Sequence, residues 1–147
     1  MNMDISIKLL DPKAKLPVYG TDFSAGADLC ARLDSPVNIE PGTAYLIHTG
    51  IAMEIPDGYA GFVFARSGLA SKQGLAPSNK VGVIDSDYRG EILVSLYNQS
   101  GETRTVSDGD RIAQIVIMPY VKASWKIKQD LEDSVRGEGG FGSTGIS

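Results

Sequence analysis

Apolar and polar residues alternate in short runs along most of the chain. The apolar positions of these runs are Ile5, Ile7 and Leu9; Tyr45 and Ile47; Ile51, Met53 and Ile55; Phe62 and Phe64; Ile92, Val94 and Leu96; and Ile112, Ile115 and Ile117. A period of two residues is typical of a β-strand with one buried face. Turn-forming segments such as Pro56-Asp57-Gly58 separate the runs. The pattern therefore predicts an all-β fold, either a jelly roll or a β-barrel.

Two segments depart from this alternation. Residues 67–73 predict one short helix of at most two turns, which Gly74 would end. From Arg136 onward, glycines are too frequent for a packed strand. We therefore expect one β domain over residues 1–135, followed over residues 136–147 by a glycine-rich tail that is flexible unless a ligand orders it.

Composition narrows the possible partners. The chain has 14 Lys and Arg residues against 18 Asp and Glu residues, a net charge of −4, which argues against a general nucleic-acid binder. His48 is the only histidine and Cys30 the only cysteine, so multi-histidine and cysteine-based metal sites are excluded. No apolar run is long enough to span a membrane, and a lone cysteine points to a reducing compartment. We expect a cytoplasmic protein with no nucleic-acid or membrane partner.

The most informative segment is residues 79–91, in which an apolar strand leads into a polar turn. An ordinary β-hairpin explains the pattern, since Asp and Gly satisfy turn geometry. The functional alternative is a concave pocket on this hairpin, in which Asn79 contacts a base edge and either Asp85 or Asp87 is a general base. In an extended segment the two carboxylates would share a face, so their spacing does not choose between them.

Arg66, Ser67 and Gly68 join a predicted strand to the short helix. A guanidinium, a hydroxyl and free backbone N–H groups at a helix start can bind phosphate. In the simpler alternative, Ser67 only caps the helix and Arg66 is solvated.

Four further polar residues carry weaker signals. Asp28, between apolar neighbours, could be a turn or edge residue, and Asp110 with Arg111 could form a local ion pair. We interpret His48 as a structural strand residue, because no carboxylate or nucleophile stands near it in sequence.

The tail contains one aromatic residue, Phe141, flanked by glycines. It lacks the Gly-Lys-Ser/Thr ending of a P-loop, and no helix follows it. A disordered terminus is one interpretation. A lid explains the isolated aromatic better, since Phe141 would stack on a ligand while Arg136, Ser143 and Thr144 contact phosphates.

Five of these segments resemble, in order along the chain, the five motifs of the trimeric deoxyuridine triphosphate pyrophosphatases (dUTPases). The segments are residues 25–29, 66–68, 79–91, 109–114 and 136–145, of which the third and fifth are the most specific. In the family an aromatic residue often precedes the first-motif Asp and a proline often precedes the second motif. This chain has alanine at both positions, and neither position carries chemistry.

The resemblance implies a jelly-roll homotrimer whose active sites lie at subunit interfaces, each closed by a tail from a neighbouring chain. It implies hydrolysis of dUTP to dUMP and pyrophosphate, which removes dUTP from the nucleotide pool and supplies dUMP for thymidylate synthesis. The implied cofactor is Mg²⁺, held mainly by the triphosphate oxygens.

The resemblance also implies residue roles. Asp85 would be the general base, which orients a water for in-line attack on the α-phosphorus, and Asp28 would steady the waters around Mg²⁺. Tyr88 would leave no room for a ribose 2′-hydroxyl. The residues implied in substrate binding are Arg66, Ser67, Gly68, Asn79, Gly82, Val83, Ile84, Tyr88, Gln114, Arg136, Phe141, Gly142, Ser143 and Thr144.

Two other functions share this fold. A dCTP deaminase would carry a catalytic Glu in the region of the predicted hairpin, where this chain has Asp85-Ser86-Asp87-Tyr88. A non-catalytic nucleotide-sensing protein would have no need of a general base, whereas Asp85 is present. The sequence therefore predicts dUTP hydrolysis.

Overall fold

The structure, a computed structural model, describes residues 3–140. Within this range the regular structure is almost entirely β. The strands are β1 (Ser6–Leu9), β2 (Val18–Tyr19), β3 (Ala27–Cys30), β4 (Val37–Ile39), β5 (Ala44–His48), β6 (Ile51–Glu54), β7 (Tyr59–Phe64), β8 (Leu75–Pro77), β9 (Gly82–Ile84), β10 (Leu93–Asn98), β11 (Arg104–Val106) and β12 (Arg111–Pro119). A short π-helix, Leu69–Gln73, lies between β7 and β8. No helix in this part of the chain has the length and apolar character needed to cross a membrane.

The strands form antiparallel sheets around one core. The largest sheet has the order β2-β3-β12-β7-β9, and a second has the order β5-β10-β8. Two ribbons, β1-β6 and β11-β4, complete the described part of the fold. Most sheet neighbours are distant in sequence, so the chain repeatedly crosses between sheets, as in a jelly roll. The predicted all-β fold with one short helix is confirmed.

The core follows the predicted alternation in most strands. Around β10, Ile92, Val94 and Leu96 are at most 2% exposed. Burying a side chain of this size contributes roughly 1.5–3 kcal/mol. Leu9 and Tyr45, two other positions of the alternation, are each 45% exposed, so the apolar pattern overestimates the core at these points.

The buried face of β7 is the one opposite to the face that its sequence pattern predicts. Phe62 and Phe64 are only partly buried, whereas Gly61 and Val63 are buried. A side chain at Gly61 would lie 3.0 Å from Ile115 Cδ1, so a neighbouring isoleucine already fills this space. Because glycine has no apolar side chain, the pattern of apolar residues does not show that Gly61 lies on the buried face.

Residues 67–73 are helical, as predicted, and the π-helix is formed by the last five of them. Gly68 occupies the N-cap position without a side-chain bond, so the interpretation of Ser67 as a cap is wrong. Gly74 ends the helix with φ at +71°, and its N–H donates to the Ala70 carbonyl at 3.1 Å. A side chain at Gly74 would also lie 2.9 Å from the backbone nitrogen of Ser100. Both its conformation and its surroundings therefore require glycine here.

Asn98 is fully buried and its side chain joins three backbone segments. Its Nδ2 donates to the carbonyls of Ile39 and Glu102, each at 2.8 Å. Its Oδ1 accepts from the Ser100 N–H at 2.9 Å and from the Ser100 hydroxyl at 2.7 Å. These bonds tie β10 to β4 and to the loop before β11, and a fully satisfied buried amide favours one arrangement of these segments.

We expect Asn98→Ala to lower the free energy of unfolding by about 3 kcal/mol, because two carbonyls and Ser100 would lose their partner. Urea unfolding followed by circular dichroism measures this loss. The matched control is Asn38→Ala, since exposed Asn38 accepts one bond from Thr105 at 2.8 Å. The control should cost less than about 0.5 kcal/mol. Equal losses in the two variants would contradict the role given to Asn98.

Candidate active site

Residues 79–91 do not form a hairpin. β9 pairs with β7, whereas β10 pairs with β5 and β8, so the two strands belong to different sheets. The polar residues after β9 cross from one sheet to the other, and a cavity of about 240 Å³ opens beside this crossing. The hairpin that both interpretations assumed is therefore wrong, whereas a pocket is present at the crossing between the two sheets.

The cavity gathers the residues implied in nucleoside binding. Those that line it are Asn79, Gly82, Val83, Ile84, Asp85 and Tyr88. The opposite wall comes from Val63 of β7 and from residues 91–95 at the start of β10. β9 is the last strand of its sheet, so in the described part of the chain its outer backbone edge has no strand partner. An unpaired edge offers both donors and acceptors to a ligand.

A turn before β9 directs Asn79. The Lys80 N–H donates to the Pro77 carbonyl at 3.0 Å, and Lys80 has φ at +68°. A side chain added at Gly82 would lie 3.3 Å from Val63 Cβ and 3.4 Å from Asn79 Nδ2. Glycine at this position therefore lets the Asn79 amide lie close to the backbone of β9.

A second turn separates the two aspartates. The Tyr88 N–H donates to the Asp85 carbonyl at 3.1 Å, so residues 85–88 form a turn rather than an extended segment. Asp85 lines the cavity, and Asp87 is not part of its wall. The expectation that the two carboxylates share a face is wrong for this reason, and Asp85 is the aspartate at the cavity.

Two contacts hold the outer end of the Tyr88 side chain. Its hydroxyl donates to the Glu91 carbonyl at 2.9 Å, and its ring lies over Gly90, where any side chain would overlap it. Arg89 braces the same turn, because its Nη1 donates to the carbonyls of Ser86 at 2.6 Å and Tyr88 at 3.2 Å. The turn thus fixes the ring at the edge of the cavity.

A second group of implied residues surrounds Asp28 in β3. Arg66 Nε donates to Asp28 Oδ1 at 2.7 Å, and Arg111 Nη1 donates to Asp28 Oδ2 at 3.3 Å. The Asp28 side chain is 17% exposed, while that of Arg111 is 61% exposed. The two guanidinium groups carry more N–H donors than the Asp28 carboxylate uses, and such donors suit an anionic ligand.

Gln114 lies beside this group. Its position in β12 is opposite Asp28, and its Nε2 donates to the Ala65 carbonyl at 2.9 Å. Any side chain at Gly26 would overlap the Gln114 amide, so the amide keeps this position only beside a glycine. Gln114 therefore connects the segment before β3 to the loop that carries Arg66.

Within one chain, the structure does not bring the two groups into one site. Arg66 and Arg111 line a cavity that shares no lining residue with the cavity of Asp85. The two residues that follow Arg66, Ser67 and Gly68, are exposed. Arg136 is also exposed, and its Nε donates to the nearby Gly139 carbonyl at 2.7 Å. Outside the described residues lie Phe141, Gly142, Ser143 and Thr144.

Arg111 is a site residue that sequence reasoning missed. The expected ion pair with Asp110 does not form, because Asp110 Oδ2 accepts the Ser107 N–H at 2.8 Å. Arg111 instead bonds Asp28, a residue 83 positions away. The register between β3 and β12 brings Arg111 close to Asp28. This register cannot be predicted from the residues next to Arg111 in sequence.

Cys30 adjoins the same group, paired with Arg111 across β3 and β12. Burial raises the pKa of the Cys30 thiol, an effect that the nearby positive charge of Lys15 partly opposes. A thiol with a raised pKa is protonated at neutral pH and is a poor nucleophile. The chemistry available around Asp28 is therefore that of its carboxylate and guanidinium groups.

A divalent cation would need most of its ligands from a bound molecule. Residues 3–140 contain no group of three or more His, Cys, Asp or Glu side chains that could hold a metal ion. A carboxylate has about four lone-pair positions, so Asp28 keeps acceptor sites beyond its two guanidinium bonds. Asp28 therefore fits a cation that is held through water.

Comparisons with known proteins agree with this geometry. A model of the dUTPase family matches residues 12–145. The chain is 56% identical over 138 residues to the deoxyuridine 5′-triphosphate nucleotidohydrolase of Desulfitobacterium hafniense, a match that covers 93% of this chain and 91% of that relative.

Solved structures give the same answer. The structure resembles a point mutant of the Staphylococcus bacteriophage 80alpha dUTPase with dUpNHpp, with a TM-score of 0.84, 29% identity, and coverage of 99% of this chain and 100% of that one. It also resembles a mutant dUTPase from phage phi11 of S. aureus, described for its coordination of a structural Mg(II) ion, with a TM-score of 0.77, 26% identity, and coverage of 89% and 100%. Since the family model spans nearly the whole chain and a relative shares more than half of its residues, the chain belongs to the dUTPase family.

Proposed function

We propose that this chain hydrolyses dUTP to dUMP and pyrophosphate, which removes dUTP from the nucleotide pool and supplies dUMP for thymidylate synthesis. The observation that carries the proposal is the cavity at which Asn79, Asp85 and Tyr88 meet, in a chain of the dUTPase family. These residues offer an amide to a base, a carboxylate to a water and an aromatic wall to a sugar.

We assign uracil recognition to Asn79 and to the free edge of β9, that is, to the main chain of Gly82, Val83 and Ile84. Uracil presents an N–H donor between two carbonyl acceptors, whereas cytosine carries an amino donor in place of one carbonyl. A backbone donor that faces this position would be left unpaired by cytosine. Mismatches of this kind reduce reactivity by several powers of ten.

We assign Asp85 as the general base. Its carboxylate would accept a proton from water while the water oxygen forms a bond to the α-phosphorus. The bond from the α-phosphorus to the bridging oxygen of the β-phosphate breaks, and pyrophosphate leaves with that electron pair. Support comes from the exposure of Asp85 in the cavity, which lets a water reach it.

We assign the triphosphate to the group around Asp28. The Asp28 carboxylate orients the guanidinium groups of Arg66 and Arg111, so an arriving polyanion would meet cations that are already in place. Mg²⁺, when bound, neutralises phosphate charge, and Asp28 would hold waters of its shell. The structural Mg(II) ion of the phage phi11 relative is consistent with a role for this cation. The other residues assigned to the phosphates are Ser67, Gly68 and Gln114.

We infer that a complete site needs more than one chain and that the assembly is a homotrimer. In a single chain the nucleoside cavity is separate from the group of residues around Asp28. Each would therefore be completed by a neighbouring chain. Large apolar side chains support an assembly, since Leu46 is 50% exposed and Val83 is 59% exposed. Contact with another chain would remove this surface from water.

The segment after β12 supports the same assembly. Val121, Trp125 and Ile127 are 92%, 91% and 102% exposed, and they share one face of an alternating segment that has lysines on the other. Such alternation is typical of a strand, and in the described residues this segment pairs with none. We infer that it lies on a neighbouring chain.

The tail, residues 136–147, would then close the neighbour's site. Phe141 and the adjacent Gly142 would cover the uracil, while Arg136, Ser143 and Thr144 clamp the phosphates. Closure would exclude every water except the nucleophile. The β domain of the proposal is residues 1–135, and its expected location is cytoplasmic, in keeping with the free thiol of Cys30.

Glu91 bears on the rival reaction, deamination of dCTP. Its Oε2 contacts His48 Nδ1 at 2.9 Å, and its Oε1 accepts the Gly50 N–H at 2.8 Å. A catalytic Glu must be free to exchange protons with the base that it transforms. Because both oxygens of Glu91 are already engaged, we favour hydrolysis over deamination.

With Mg²⁺ and one nucleotide at a time, the purified chain should convert dUTP to dUMP and pyrophosphate. We expect dCTP, dTTP and UTP to react at least about 100-fold more slowly, because each leaves a polar group unpaired or meets a steric wall. Chromatography identifies the products. A uracil nucleotide formed from dCTP would show that the chain is a deaminase and contradict the proposed hydrolysis. No reaction with any of the four nucleotides would favour a nucleotide-sensing role.

Asp85→Asn should lower kcat by about 10²–10⁴-fold, because the amide cannot accept the proton of the attacking water. Affinity for dUMP should stay within about threefold, since the shape of the cavity is kept. Stopped assays and calorimetry measure the two quantities. Asp87→Asn is the matched control, because Asp87 lies two residues away and outside the cavity wall. Full turnover by Asp85→Asn would refute the assignment.

If the tail of each chain closes the site of a neighbouring chain, two inactive variants should be active when they are mixed in one trimer. One variant is Asp85→Asn, and the other lacks residues 137–147. In a mixed trimer, a site that takes Asp85 from a truncated chain and its lid from an Asp85→Asn chain is intact. Co-expression with two affinity tags isolates mixed assemblies, and light scattering should give about three times the chain mass of 15.7 kDa.

Each variant purified alone is the control for this mixture and should be inactive. If the tail closed the site of its own chain, every site in a mixed assembly would lack either the base or the lid. Mixed assemblies without activity would therefore contradict the exchange of tails, and an active monomer would contradict shared sites.

A further inference from the structure

His48 and Glu91 form a contact behind the nucleoside cavity. His48 Nδ1 lies 2.9 Å from Glu91 Oε2, and the two residues are 43 positions apart. The pairing of β5 with β10, which sets His48 opposite Leu93, brings them together. His48 is the last residue of β5, so its interpretation as a strand residue is confirmed, whereas its carboxylate partner could not be identified from neighbours in sequence.

The second carboxylate oxygen of Glu91 is held by the backbone. Glu91 Oε1 accepts the Gly50 N–H at 2.8 Å, and Gly50 has φ at +71°. A side chain at Gly50 would lie 2.8 Å from Ala14 Cβ, so the turn is tightly enclosed. The Thr49 hydroxyl next to it donates to the Ile92 carbonyl at 2.5 Å. The turn after β5 thus holds both Glu91 and the residue that follows.

The held segment carries the acceptor for Tyr88. The Tyr88 hydroxyl donates to the backbone carbonyl of Glu91 at 2.9 Å. Because the side chain and the carbonyl of Glu91 belong to one residue, the two bonds to the carboxylate restrict how far the carbonyl can move. The Glu91 side chain is 22% exposed and that of His48 is 57% exposed, so the contact forms near the surface and extends inward to the cavity wall.

We propose that Glu91, clamped between His48 and the Gly50 N–H, is a positioning residue that holds the Tyr88 ring and thereby sets the discrimination between deoxyribose and ribose. The proposal rests on the proposed use of this cavity for a deoxyuridine nucleotide. Glu91 acts through Tyr88, because its own oxygens are bonded within the chain. When the clamp is removed, the ring gains freedom to retreat and a 2′-hydroxyl finds room.

Nucleotide binding without turnover tests this role. Calorimetry gives the affinities of the full chain for dUMP and for UMP, and their ratio is the preference for deoxyribose. We expect the preference to fall about tenfold in Glu91→Ala and about threefold in His48→Ala, which removes one of the two clamping contacts. Glu91→Gln keeps an acceptor for the Gly50 N–H and should stay within about twofold of the wild type.

Glu102→Ala is the matched control. It removes an exposed carboxylate that lies 3.2 Å from Arg104 and does not line the cavity, so the preference should be unchanged. A preference in Glu91→Ala equal to that of the wild type would overturn the proposal, even with reduced stability, because a purely structural role weakens both nucleotides together. If Glu91→Ala does not fold, an unchanged preference in His48→Ala overturns it.

Hydrolysis of dUTP by the wild type is measured separately. A wild type that prefers dUMP but does not hydrolyse dUTP overturns the proposed function, and the role of Glu91 is still decided by the variants. A wild type that binds dUMP and UMP equally overturns the role of Glu91, whatever its hydrolytic activity.

Discussion

Pairing along β12 is the constraint on which the phosphate-binding half of the site depends. This strand pairs with β3 on one edge and with β7 on the other, and Gln114 is opposite both Asp28 and Phe64. A bulge between Arg111 and Ala113 breaks the register at the start of the strand. Bulges redirect side chains, so a shift of one residue would separate Arg111 from Asp28 and turn apolar residues to solvent.

The sequence is sufficient for features that depend on neighbouring residues and insufficient for those that depend on register. The alternation of Ile92, Val94 and Leu96 and the helix end at Gly74 need only local geometry, and both are confirmed. The inward face of β7 is mispredicted because its buried position is a glycine. The supposed hairpin at 79–91 is also wrong, because hydrophobic alternation cannot reveal which strand pairs with which.

The crossing between two sheets explains why a polar cavity exists in a chain with little helix. A tight hairpin would pair its two strands and close the space between them with backbone bonds. Here the strands diverge, and the turns around Asn79 and Asp85 must satisfy their polar groups locally. The outer edge of β9, unpaired within residues 3–140, and the two turns therefore face one space, which is open to a ligand of matching polarity.

The exposed segment before the tail gives the proposed lid an energetic basis. Ordering a glycine-rich tail costs about 1–2 kcal/mol per residue in backbone entropy. Burying Trp125 and Ile127, both at least 91% exposed in one chain, against a neighbour would contribute roughly 1.5–3 kcal/mol for each side chain. Assembly would thus anchor the chain up to the start of the tail permanently. Each round of substrate binding would then have to order only the tail itself. A lid attached in this way can open after every turnover while its attachment point stays in place.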